Sequence, residues 1–216
     1  MNRARLISYS QGVDLQGAED LIAYCARVSN PSNQDNTETA NKLLKYLIKH
    51  KHWSPFEMVN VVLEIETTRD IGRQILRHRS FSFQEFSQRY ADPTQDLEFI
   101  MRDARLQDDK NRQNSLELDD KNKDHNWLIS EWENHQQKII NYSNAFYVWA
   151  VQHGIAKEQA RAILPEGLTM SRMYMNGTLR SWIHYIELRT DPSTQKEHRE
   201  VAQECAKAIN KIFNFI

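Results

Sequence analysis

Cysteine occurs only twice in the 216 residues, at Cys25 and Cys205, and no Cys-x-x-Cys spacing involves either. A disulfide framework is therefore excluded, and the apolar, helical-looking surroundings of both predict small buried side chains. Glycine is nearly as scarce, at six residues, and no Gly-x-Gly-x-x-Gly loop is present, so a dinucleotide fold of the Rossmann type is not encoded. No His-Glu-x-x-His or Cys/His set marks a metal centre, and no Gly-x-Ser-x-Gly elbow marks a serine nucleophile. Long hydrophobic runs are missing too. The longest, 145–151, falls far short of the roughly 20 residues that a membrane helix needs, and Arg3 and Arg5 are followed by no apolar stretch of signal-peptide length. A cytoplasmic protein without membrane association is expected. Finally, there is no excess charge of either sign: 28 basic and 29 acidic side chains leave a net charge of −1. A broad nucleic-acid-binding surface is not indicated by such a balance, and any strong positive potential must be local.

One segment supplies such a potential. Residues 77–90 read Arg77-His78-Arg79-Ser80-Phe81-Ser82-Phe83-Gln84-Glu85-Phe86-Ser87-Gln88-Arg89-Tyr90, with three arginines inside thirteen positions. Like charges this close repel one another, and guanidinium forks suit phosphate oxygens, so the cluster points to one or more bound phosphates. The plainer alternative is a surface patch in which arginine stems cover aromatic rings. Ser87 has no base placed by spacing and reads as a hydrogen-bond donor to a phosphate rather than as a nucleophile.

The periodicity around this segment predicts an α+β fold of long helices packed on a small, mainly antiparallel sheet, in a single domain spanning 1–216. Strands are expected at 3–9, 56–66 and 168–175, the last turned by Asn176-Gly177. Helices are expected at 15–28, after an Asp35/Glu38 capping box, after a Thr68 cap, and at 127–153, 157–164, 178–188 and 194–213. On the helix after Thr68, Gln74, Arg77 and His78 stand at i, i+3 and i+4 and share a face. The helix 127–153 is expected to bury Leu128, Trp132, Ile139, Ser143, Phe146 and Ala150, with Gly154 at its C′ position. Residues 103–126 form a polar excursion with too few apolar side chains to offset ordering. His50, His125, His135, His153 and His198 read as solvated.

Arg-His-Arg followed after seven residues by Ser resembles the signature of the flavin-dependent thymidylate synthases. Further segments resemble the same family in the same order: Ala26-Arg27-Val28-Ser29, His52-Trp53-Ser54-Pro55-Phe56-Glu57, Ala160-Arg161-Ala162-Ile163-Leu164-Pro165, the helix carrying Thr178, Arg180 and His184, and Leu188-Arg189. The resemblance spans 23–214 apart from the polar excursion. It implies conversion of dUMP to dTMP, with a methylene from 5,10-methylenetetrahydrofolate and reducing equivalents from NADPH passing through FAD. It implies a homotetramer with active sites shared between subunits.

By the same resemblance, FAD would be held by Arg77, His78 and Arg79, by Glu85, by Thr178, Arg180 and His184, and by His52 and Ser54 reaching the flavin of a neighbouring subunit. Some members carry asparagine where Thr178 and His184 stand. The dUMP set would be Gln74, Arg77, Glu85, Phe86, Ser87, Gln88, Arg89, Arg161 and Arg189. Of these, Arg189 would sit against the uracil ring and favour its ionisation at N3, a catalytic role consistent with a fixed cation stabilising a nearby anion. On the residues alone, Arg161 is a surface helix arginine, Arg189 a cation at a helix C-terminus, and the His52–Pro55 stretch a helix-to-strand turn. The competing class is a single-stranded nucleic-acid module in which Phe81, Phe83, Phe86 and Tyr90 stack bases between arginines.

Overall fold

Alternating β-branched and charged residues build the central strand of the computed structural model, which describes residues 2–119 and 121–213. Strand β2 (Asn60–Thr68) buries Val61, Leu63 and Ile65 completely on one face. Its other face carries Glu64 and Glu66, which pair with Arg5 and Arg172 of the neighbouring strands. β1 (Arg3–Tyr9), β2, β6 (Met170–Thr178) and β3 (Ser82–Glu85) form a four-stranded antiparallel sheet in the order β1-β2-β6-β3.

Helices α1 (Ala18–Ala26), α2 (Ala40–Lys49), α7 (Leu179–Arg189) and α8 (Lys196–Ile209) supply Ile22, Leu44, Trp182 and Val201 to one core with the sheet. The remaining elements are α3 (Arg69–Ile75), α4 (Pro93–Asp96), the hairpin β4 (Arg105–Gln107) and β5 (Ser115–Glu117), α5 (Lys123–Gln152), α6 (Lys157–Ala160) and three short 3-10 helices at Pro31–Asn33, Ser54–Met58 and Arg161–Ile163. The α+β architecture expected from the sequence is the one observed.

Several local expectations are corrected. Asn176-Gly177 does not turn the chain, because β6 continues to Thr178, pairing Val61 with Gly177 and Asn60 with Thr178. The glycine serves close packing, since a Cβ there would lie 2.4 Å from Cδ1 of Phe81. Helix α1 starts at Ala18 rather than Leu15, behind an extended Gly17. No Asp35/Glu38 capping box forms: α2 begins at Ala40, and buried Arg27 ties the preceding loop by donating to the Asn36 carbonyl and, at 2.8 Å, to Thr39 Oγ1. Thr68 occupies the N-cap position of α3, but its hydroxyl bonds to Asp70 Oδ1 (2.6 Å) instead of capping.

The polar excursion folds in part, as the β4–β5 hairpin and the first turn of α5. Ion pairs hold it rather than apolar burial: Lys196 reaches Asp103 at 2.9 Å and Glu117 at 3.0 Å, and Arg105 pairs with Glu197. Asp120 within it, and Asn214 at the end of the resemblance, lie outside the described residues. Helix α5 ends as expected, with Gly154 at φ 81°, but it is rotated relative to the expected face. Ser143 and Ala150 are buried as expected, but Gln136 and Tyr147 join them, whereas Trp132, Ile139 and Phe146 are exposed and Leu128 is half-buried. The Gln136 amide sets this orientation by bonding both the N–H (2.8 Å) and the carbonyl (2.9 Å) of Arg102.

Candidate functional site

The signature segment begins where α3 stops. The helix ends at Ile75, so Arg77 and His78 do not share a helix face with Gln74, contrary to expectation. Turn-type bonds from Arg77 N to the Gln74 carbonyl (3.3 Å) and from His78 N to the Ile75 carbonyl (3.0 Å) send the three side chains in different directions. Gln74 meets α8, His78 meets α7, and Arg77 and Arg79 are exposed. No carboxylate pairs with either arginine among the described residues, which leaves two guanidinium groups available to an anion.

At the end of α7, Arg189 donates from Nε to His78 Nε2 at 3.0 Å. That bond makes Nε2 the acceptor nitrogen of a neutral imidazole. Burial, followed by the charges of Arg189 and Arg77, pushes His78 down to about 4, so the ring remains neutral near pH 7 and does not repel the arginine. The terminal nitrogens of Arg189 have no hydrogen-bond partner among the described residues. The His78 ring stands edge-on to Tyr185, with centroids 4.9 Å apart.

Behind this pair lies a group that the sequence reading missed. His198, expected to be solvated, is 0% exposed. Its Nδ1 lies 3.2 Å from Gln74 Oε1 and its Nε2 lies 3.2 Å from the Tyr185 hydroxyl. The signal was present in the sequence: His198 begins the stripe that continues through Val201, Ala202, Cys205, Ala208 and Ile209, all buried.

A second group sits at the start of α7. Thr178 caps that helix by accepting from Ser181 N (3.2 Å). Glu57 accepts from Arg180 at 2.6 Å. Hydrogen bonds from Thr178 and Arg180 hold the Glu57 carboxyl below its usual range. Trp53 places its ring against His184, centroids 4.8 Å apart, while His52 and Ser54 on either side are exposed. Lys51, in the left-handed region at φ 57°, turns the chain from α2 into this loop.

A third group follows β3. Glu85 accepts from Ser171 Oγ (2.9 Å) and lies 3.6 Å from Arg69 and 3.9 Å from Arg73, so it is neutralised from within the chain. Phe86 is fixed by its backbone N–H to the Arg172 carbonyl (2.8 Å). Ser87 Oγ accepts weakly from Arg89 N at 3.4 Å. Gln88 is 4% exposed, and its Nε2 has no partner among the described residues. Arg89 pairs with Glu158 at 3.3 Å, and Arg161 Nε donates to the Glu158 carbonyl at 3.3 Å, so both arginines converge on one acidic residue. Phe81 is buried against Trp182 and Tyr185, and Phe83 and Phe86 are half-buried. Only Tyr90 is open among the four aromatics, so they form no base-stacking platform.

The structure thus unites Gln74 with His78 and Arg189 through His198 and Tyr185; Thr178, Arg180 and His184 with the His52–Ser54 loop; and Arg89 with Arg161. No hydrogen bond, ion pair or ring contact joins these three groups to one another among the described residues.

Residues 5–213 match the family described as thymidylate synthase complementing protein. A probable flavin-dependent thymidylate synthase of Paramecium bursaria Chlorella virus 1 is 50% identical, over 97% of this chain and 94% of that one. The flavin-dependent thymidylate synthase of Synechocystis sp. is 52% identical, over 90% and 86%. Among solved structures, the UMP/dUMP methylase PolB from Streptomyces cacaoi bound with 5-Br dUMP superposes with a TM-score of 0.77, covering 98% of this chain and 91% of that one. At 22% identity that likeness is one of fold. The matches over nearly the whole chain establish that this protein belongs to the flavin-dependent thymidylate synthase family.

Proposed function

We propose that this chain catalyses the reductive methylation of dUMP to dTMP in the cytoplasm, taking its carbon from 5,10-methylenetetrahydrofolate and its reducing equivalents from NADPH through FAD. The observation that carries this reading is the cation set at the signature. Among the described residues, Arg77 and Arg79 lack acidic partners and the Arg189 side chain is held only by a neutral histidine. Such a donor set fits the pyrophosphate of a dinucleotide, which presents two negative charges to planar guanidinium forks. FAD would be held by Arg77, His78 and Arg79, with Glu85, Thr178, Arg180, His184, His52 and Ser54 completing its surroundings. When bound, it would supply the redox chemistry that no side chain here provides.

The dUMP phosphate is assigned to Ser87, Gln88, Arg89 and Arg161, with Gln74, Arg77, Glu85 and Phe86 around the nucleotide. The Nε2 of Gln88, buried and without a partner among the described residues, supports this placement, because a buried donor without an acceptor is costly until a ligand supplies one. The Arg89–Glu158 pair is exposed on both sides, so it is worth roughly 0–1 kcal/mol and yields readily to a phosphate dianion. Arg189, anchored through Nε, presents its terminal nitrogens as a fixed cation that favours the N3-ionised uracil.

A homotetramer with shared sites accounts for two further features. The FAD and dUMP residues lie in three groups that no hydrogen bond, ion pair or ring contact joins among the described residues. Helix α5 also exposes Trp132, Ile139, Tyr142, Phe146 and Trp149 along one stripe, an apolar surface of the kind that other subunits cover.

Arg189→Lys tests the reading. Lysine retains charge but loses the fork, so turnover should fall by more than the dUMP KM rises, the pattern of an interaction strengthened in the transition state. Unchanged turnover would remove Arg189 from the chemistry.

A further inference from the structure

We infer that His198 is a positioning residue for dUMP capture: its ring, bonded to Tyr185 on one side, locks the side-chain amide of Gln74 in one orientation through the other. The inference rests on the proposal that Gln74 meets dUMP, and it follows from a chain of hydrogen bonds whose directions are forced from one end.

Glu197 is the fixed end. Burial alone would raise its carboxyl. Hydrogen bonds from Arg105, the backbone and Gln195, together with the charge of Arg102, outweigh burial and hold it below the usual carboxylate range. An ionised carboxylate can only accept. Gln195 must therefore turn its Nε2 to Glu197 Oε2 (2.9 Å), which leaves its Oε1 facing Gln74. That oxygen accepts from Gln74 Nε2 at 2.8 Å, so Gln74 presents Oε1, not nitrogen, to the imidazole. His198 Nδ1, 3.2 Å away, must then carry the proton. Its Nε2 is left with a lone pair, which accepts the Tyr185 hydroxyl at 3.2 Å.

Each donor points towards Glu197, and no member can reverse without leaving a buried or half-buried polar group unpaired. A charged His198 would donate from Nε2 to the Tyr185 oxygen, and the Tyr185 hydroxyl proton would then have to turn away from its one acceptor among the described residues. Burial, then the charge of Arg189, keeps the ring neutral by holding it down to about 3.

One consequence reaches the site from two sides. Gln74 retains one amide N–H and one oxygen lone pair, both in a fixed direction, for a ligand. Tyr185, fixed by His198 through its hydroxyl, gives its ring to His78, which in turn anchors Arg189. Without the imidazole, the Gln74 amide can rotate and present the wrong atom, and part of the binding energy would be spent restoring its orientation.

Three substitutions at one position separate positioning from packing. The side-chain nitrogen of His198→Asn falls near the place of Nδ1 and retains the bond to Gln74. His198→Gln instead places its amide near Nε2 and retains the bond to Tyr185, and His198→Leu retains neither. All three disturb packing at a buried site. Loss of the Gln74 bond should raise the dUMP KM about tenfold in the Gln and Leu variants, the size of one hydrogen bond, with kcat within about twofold. His198→Asn should stay within about threefold of the wild-type KM, and FAD affinity should be the same in all. Equal KM values across the three variants, whether raised or not, would overturn the inference.

If the position-198 variants do not fold, Gln195→Leu breaks the same chain from the half-buried side. A raised dUMP KM there supports the inference, and an unchanged one overturns it. Gln74→Leu is the reference: an enzyme that still forms dTMP with an unchanged KM would remove Gln74 from the dUMP set and this inference with it, while leaving the reaction itself intact. A raised KM in Gln74→Leu with none in the His198 and Gln195 variants would refute the inference alone.

Discussion

Gly177→Ala joins the sheet to the signature through a single methyl group. The added Cβ would sit 2.4 Å from Cδ1 and 2.6 Å from Cε1 of Phe81, so the ring must retreat by about 1 Å to reach ordinary carbon–carbon contact. It has little room, because Trp182 and Tyr185 stand 4.9 and 5.9 Å away, centroid to centroid. Overpacking of this kind costs about 1–3 kcal/mol, which for a chain of this length lowers the Tm by roughly 2–12 °C. The strain also reaches the site: Phe81 N bonds the His78 carbonyl at 3.3 Å, so a displaced ring drags the turn that carries Arg77 and Arg79. FAD affinity should fall together with the Tm. Thermal denaturation at fixed protein concentration, with and without FAD, measures both effects. Phe81→Leu alone should destabilise by leaving a cavity, yet the double variant should be more stable than the sum of the two losses by about 1–2 kcal/mol. A Gly177→Ala protein within about 0.5 kcal/mol of the parent, or strict additivity in the double variant, would refute the close-packing argument.

Acid should weaken the fold before most carboxylates titrate. His78 and His198 are held down to about 4 and about 3, whereas in the unfolded chain they titrate near 6.5. The unfolded state therefore binds more protons between these values, and stability present above about pH 6.5 is lost as the pH falls, at up to ~1.4 kcal/mol per pH unit for fully buried His198 and less for half-buried His78. Urea midpoints at pH 7 and pH 5 check this, and identical midpoints would contradict it. Arg89→Ala should weaken dUMP binding by about 2–4 kcal/mol while FAD remains bound, as when a charge-assisted pair loses one partner; equal affinity by calorimetry would exclude Arg89. Mixing two inactive variants, one altered at Ser54 and one at Arg77, should restore some activity after subunit exchange if sites are shared, and no recovery would argue for sites built within one chain.

Much of this was legible because periodicity and burial coincide. The strand expected at 56–66 is found, shifted towards its C-terminus, as β2 (Asn60–Thr68), the helix expected at 178–188 is α7 (Leu179–Arg189), and Gly154 marks the end of α5. Failures occurred where a residue type has two physical uses. Asn176-Gly177 reads as a turn by composition, but the glycine is required by an aromatic ring from β3's approach. The apolar residues of α5 exceed what one chain buries, so the sequence could not say which stripe faces inward; the Gln136 amide decided it. The cations of the site were visible in the sequence, whereas their partners were not. Glu158 for Arg89, Glu57 for Arg180 and the neutral His78 for Arg189 come from distant segments. His198 was dismissed by residue type, although its place on the apolar stripe of α8 carried the opposite message.

The central claim is the reaction itself. The most direct measurement is the mass of the pyrimidine product formed when the purified protein is given FAD, NADPH, dUMP and methylenetetrahydrofolate labelled with heavy carbon at the methylene. The account predicts dTMP carrying one labelled carbon, formed only when FAD and the reductant are both present and lost in Arg77→Ala. Protein that binds FAD and dUMP yet forms no labelled dTMP with all four components would contradict it.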